Sequence, residues 1–137
     1  MTLRRLFTIN VPISLLFGIG CVFFPDPLMA RYGVELSSAG VAMTQLAGAA
    51  FFGWAVLAFQ ARSGSGDLMR AAAVALLVQD AIAAIVSIIG QVGGPFGWLG
   101  WTTPLVYGLL GAGYAYFLFV DAVEHPGPKE PGSAIRT

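Results

Sequence analysis

A chain of 137 residues that is 57% hydrophobic and only 10% charged falls far below the roughly one-quarter charged fraction of an ordinary soluble domain. Its formal net charge is zero, so bulk electrostatics gives no argument for a nucleic-acid partner or for recruitment to anionic lipid. The single cysteine, Cys21, cannot close an internal disulfide and says little about redox compartment.

Four apolar runs, at about 6–24, 41–60, 69–90 and 104–123, each approach the ~20 residues a helix needs to cross a ~30 Å hydrocarbon layer. No period-two alternation of the kind a membrane strand requires is present. The sequence therefore predicts an all-α, integral membrane four-helix bundle over residues 1–124, with a Pro-, Gly- and charge-rich tail at 125–137 expected to be disordered.

The first helix contains Pro12, whose ring removes a backbone donor and predicts a kink. It is expected to end at "FPDP", with "LMARYGVELSS" beyond it as a short interfacial segment. "RRLF" and "GIGC" faintly resemble a twin-arginine signal and a lipoprotein cleavage box. Gly18, however, stands where a lipobox has a large aliphatic residue, and the arginines are explained by topology, so the first helix is expected to be retained. "RSGSGD" is a tight polar turn between the second and third helices. "GQVGGPFGWLGWTTP" breaks the chain before the fourth, with Trp98 and Trp101 as interface anchors.

Arg4, Arg5, Arg62, Arg70, Lys129 and Arg136 fall on one side of this arrangement and only Arg31 on the other. The positive-inside rule then puts both termini and the middle turn in the cytoplasm of a bacterial inner-membrane protein.

Helix faces follow from side-chain size. In the third helix Ala73, Asp80, Ala83, Ala84, Ser87 and Gln91 form one stripe, opposite Val74, Val78, Ile82, Ile85 and Ile89. Small residues allow close approach between membrane helices, so the Asp80 stripe is expected to face protein and the branched stripe lipid. The same reasoning predicts inward lines of Ala42, Gln45, Ala49 and Gly53 in the second helix, and of Asn10, Ser14, Gly18 and Cys21 in the first. In the fourth it selects Tyr107, Gly111 and Tyr114, with Gly108 and Ala112 as a neighbouring small pair.

Asp80 lies about 16 Å beyond Met69 at ~1.5 Å per residue, near the membrane midplane. With no Lys, Arg or His in the four runs apart from Arg70 at the edge of the third, its carboxyl is expected to be neutral and to donate a hydrogen bond. Asn10, Ser14, Asp80, Tyr114 and Gln45 are the candidate intramembrane polar residues. Three roles remain open for Asp80: an interhelical fastener assisted by Gln79 or Tyr114, a site for a quinone or lipid, and ion or proton passage.

Other chemistries lack their residues. The only histidine, His125, follows the last helix, and no two haem ligands share a depth. One cysteine and scattered acids do not build a metal centre, and no nucleophile, base and orienter arrangement can be named. No cofactor and no catalytic activity are expected.

"FGIGCVFFPDPLMARYGVEL", "QLAGAAFFGWAVLAFQAR" and "YGLLGAGYAYFLF" together resemble a broad group of small bacterial four-helix membrane proteins over roughly residues 3–120. In size and helix count the chain is also similar to a tetrahelical scaffolding subunit of photosynthetic reaction-centre light-harvesting supercomplexes. The resemblance implies the fold and little about activity. The missing cofactor ligands, joined to extensive apolar surface and Ala- and Gly-rich faces, lead to the expectation of a noncatalytic accessory or scaffolding subunit of a larger bacterial membrane complex, photosynthetic or respiratory, among membrane lipids and other integral subunits. The alternative is a small carrier, channel, or quinone or lipid binder centred on Asp80.

Overall fold

A computed structural model describes residues 2–94 and 96–120. Helix α1 spans Leu3–Phe23, α2 Pro25–Arg31, α3 Ser38–Ala61 and α4 Gly66–Gly93. A 3-10 turn at Trp98–Trp101 leads into α5, Thr102–Ala115, which ends in a π-helical turn at Tyr116–Val120. Four stretches, Leu3–Phe23, Ser38–Ala61, Gly66–Gly93 and Trp98–Val120, are long and apolar enough to cross a membrane.

Capping explains why α3 and α4 begin earlier than the hydropathy pattern predicts. Ser37 accepts from the Gly40 N–H (3.2 Å) and Ser65 from the Leu68 N–H (3.3 Å), which satisfies donors that a first helical turn leaves free. Each cap adds about one polar turn ahead of the apolar run. The expected end of the fourth helix at 123, and the tail, lie outside the described residues. Pro12 sits inside a helix that continues on both sides of it.

"FPDP" both ends one helix and starts another. The chain leaves α1 at Phe24, and Pro25 opens α2 at a first-turn position where no N–H is needed. The first part of the segment expected to be interfacial, Leu28–Arg31, thus belongs to a short helix that starts at Pro25. Its end is a Schellman motif: Val34 N–H donates to Met29 O and Gly33 N–H to Ala30 O, with Gly33 at φ 81° in the left-handed region that glycine tolerates.

The helices associate as two pairs, α1 with α3 and α4 with α5, with sparse contact between the pairs. At the end of the bundle that holds Leu3, the α3–α4 turn and Val120, the terminal end, the pairs close on a core. Leu6, Phe7, Ala58, Ala61, Ala72, Ala73, Leu76, Leu110 and Tyr114 are buried there. Small alanines on α3 and α4 let the pairs meet closely. At the opposite end, the loop end, the pairs diverge beneath α2 and the α4–α5 connection, which are joined by Gly97 N–H donating to Tyr32 O at 2.7 Å.

The α4 faces follow the size pattern: Ala73 and Asp80 are buried, Ala83, Ala84, Ser87 and Gln91 half-buried, and Val74, Val78, Ile82, Ile85 and Ile89 exposed. The α3 assignment is corrected. Ala42, Gln45, Ala49 and Gly53 are exposed, and Gly48, Ala55 and Ala58 are buried instead. The contact with α1 runs over Gly48, where an added Cβ would lie 2.7 Å from Val22 Cγ2 and 2.8 Å from Cys21 Cβ, whereas one at Gly53 would meet nothing within 4 Å. On α5, Gly111 and Tyr114 are buried and Tyr107 half-buried, while Gly108 and Ala112 are exposed.

Candidate functional site

Asn10 and Ser14 stand one turn apart on the buried face of α1. Ser14 donates from Oγ to Asn10 Oδ1 (2.8 Å), and Asn10 donates from Nδ2 to the Tyr114 hydroxyl (2.8 Å). This chain ties α1 to α5 across the bundle. The Tyr114 ring packs on Phe7 with centroids 5.5 Å apart, which fixes the hydroxyl in place.

Asp80 occupies the neighbouring position on α4. Its residue is 2% exposed, yet its Oδ2 is buried without a hydrogen-bond partner among the described residues. Tyr114, expected as an assistant, is bonded to Asn10 instead. Gly111 of α5 lies against the Asp80 side chain, so that a Cβ added at Gly111 would sit 3.3 Å from Asp80 Cβ. The missing side chain at Gly111 therefore lets α5 lie close to the carboxyl-bearing face of α4. Among the described residues no three His, Cys, Asp or Glu gather as metal ligands would.

Asp80 borders a cavity of about 30 Å³ that Asn10, Ser14, Gln79, Trp54, Thr103 and Tyr107 also line. A guest the size of one water needs at least ~10–15 Å³ of such space and two or more polar partners, so this volume holds a single oxygen-bearing group or a water or two.

Next to it, in the loop half, the divergence of the helix pairs leaves a cleft of about 770 Å³, within the ~300–1,000 Å³ typical of small-molecule pockets. Phe17, Phe51, Thr103 and Tyr107 line both spaces, so the small cavity adjoins the cleft. Phe17 and Phe51 stack at 5.7 Å with planes 28° apart. Gln91, which donates to Gly97 O at 3.0 Å, and Phe96 and Tyr32 line its loop end. Met43 and Ala47 of α3 and Val86 of α4 line its side and are themselves exposed. The cleft therefore opens laterally between α3 and α4, toward whatever surrounds the helices. A shallower groove of about 270 Å³ runs along α4 and α5 over Gly108, Gly111 and Ala112 and also reaches Asp80.

Of the five candidate polar residues, the structure joins Asn10, Ser14 and Tyr114 by hydrogen bonds and sets Asp80 on the same small cavity as Asn10 and Ser14. Gln45 is elsewhere: it is exposed and donates to Val22 O at 3.1 Å, supporting the α1–α3 seam. The sequence reading missed the cleft wall. Phe17 and Phe51 carry no polar or small-residue signature, so neither the size pattern nor the search for polar groups singled them out.

No protein-family model, curated protein or solved structure matches the chain.

Proposed function

We propose that the protein is a noncatalytic, multi-pass membrane protein that holds a lipid-soluble small molecule in the cleft between its two helix pairs. The observation that carries this reading is a 770 Å³ apolar cleft that shares Phe17, Phe51, Thr103 and Tyr107 with a smaller cavity bordered by an unpartnered, buried carboxyl. Ligand sites commonly combine a largely apolar wall with a few converging polar groups. A side opening flanked by Met43, Ala47 and Val86 suits entry from a bilayer. Basic residues Arg4, Arg5, Arg62 and Arg70 favour placing the terminal end in the cytoplasm of a bacterial inner membrane.

The reading is tested in nanodiscs with a photoactivatable long-chain ketone. Adducts are expected on Thr103 and Tyr107 inside the cleft and should saturate with probe concentration. Ala47→Trp, which fills the opening, should remove them, while Leu16→Trp, on an outer face of α1, should leave them. Labelling confined to lipid-facing positions, or unchanged by Ala47→Trp, would overturn the proposal.

A second reading, the accessory or scaffolding subunit of a photosynthetic or respiratory complex, draws on the exposed small-residue row of α3. Ala42, Ala49 and Gly53 offer close approach to another membrane helix. Its mark is a native complex recovered through a tag on the chain, which Ala49→Leu would disrupt.

A further inference from the structure

We infer that the ligand of the cleft carries a neutral carbonyl head, as isoprenoid quinones do, and that this oxygen enters the small cavity to accept a hydrogen bond from Asp80. The inference rests on the cleft-binding reading and names the class of molecule that the same site selects.

Three observations favour this class. First, the cavity at the cleft floor, about 30 Å³, has room for a carbonyl oxygen and is bordered by the unpartnered Asp80 Oδ2. Second, the residues lining the cleft and cavity include no Lys, Arg or His. An anionic head would be buried there without a counter-charge beside a carboxyl, a costly arrangement in a low-dielectric interior. A primary ammonium would find Asp80, but both partners would have to give up their hydration about midway through the membrane, a cost that attraction often fails to offset. Third, depth discriminates. Phospholipid head groups stay at the interface, roughly 15 Å from the midplane of a ~30 Å core, whereas a quinone ring dissolves in the hydrocarbon and reaches Asp80 directly. The stacked Phe17 and Phe51 rings border both spaces, so a flat ring can lie against them with its carbonyl directed to the floor. Aspartic acid in its neutral form supplies the O–H that a carbonyl needs. The orphaned Oδ2 thereby gains the partner that buried polar atoms almost always have.

Trp54 lines the small cavity and provides the readout. In a Trp98→Phe, Trp101→Phe background, a short-chain benzoquinone should quench Trp54 fluorescence saturably. Competitors of equal chain length are then compared: the ring hydrocarbon lacking both oxygens, the fatty acid, and the alkylamine. The quinone is expected to bind ~10-fold or more tighter than its hydrocarbon analogue, the value of one well-made buried hydrogen bond. The fatty acid and the amine should compete no better than the hydrocarbon. Asp80→Asn, which keeps a donor, should retain the preference, while Asp80→Leu should abolish it and still bind the hydrocarbon. Equal affinity for quinone and hydrocarbon, or tighter binding of the acid or the amine, would overturn the carbonyl assignment and leave the cleft reading standing. Quenching without saturation by any compound would overturn both. The comparison of ligands in the unaltered Asp80 protein decides the matter even if Asp80→Leu fails to fold.

Discussion

Tyr114 combines two roles in one fully buried side chain: its ring packs on Phe7 and its hydroxyl accepts the Asn10 amide. Tyr114→Phe preserves the first and removes the second, leaving an amide donor inside the bundle. Hydrogen bonds between membrane helices are worth ~0.6 kcal/mol on average and up to ~2 kcal/mol, so a loss of about 1 kcal/mol is expected in reversible unfolding from mixed micelles. Asn10→Ala added to Tyr114→Phe should then cost less than it does alone, because the two side chains share one bond. Additive losses would show that the bond contributes nothing measurable. Asp80 differs in kind. That it would be buried was legible from sequence, because small residues share its stripe and branched ones oppose it. That it would lack a partner was not, since the pairing of Asn10 with Tyr114 depends on the rotation of α1 against α5, which no local pattern encodes.

At the level of helices, α3 is where the sequence was least informative. Nearly every position of α3 is apolar or small, so size and one polar residue, Gln45, were the only guides, and they selected the wrong face. The contact with α1 is decided by backbone approach at Gly48, and Gln45 reaches the Val22 carbonyl from outside that contact. Gly48 and Gly53 of α3 therefore separate sharply. Gly48→Ala places a methyl within 3.0 Å of Val22 N as well as its side chain and should cost ~1–3 kcal/mol by overpacking. Gly53→Ala enters open space and should be neutral or stabilising by up to ~1 kcal/mol, since alanine loses less backbone freedom in a helix. Thermal unfolding in one detergent compares them directly, and equal effects would refute the assigned seam. By contrast, α4 was readable because its two sides differ in shape, and the helix count was readable because four long apolar runs have no other economical fold.

For the molecule as a whole, the charge pattern predicts the direction of insertion. In a Cys21→Ala background, Ser63→Cys in the α3–α4 turn should resist an impermeant thiol reagent in intact bacterial cells, and Gly93→Cys at the loop end should react. The opposite pattern would invert the topology. Helix pairing also has a consequence for how the protein is made. Because α1 binds α3 and α4 binds α5, the first pair is complete in sequence by Ala61, before α4 has been translated. The cleft thus lies at the join between the half of the chain that leaves the ribosome first and the half that follows it.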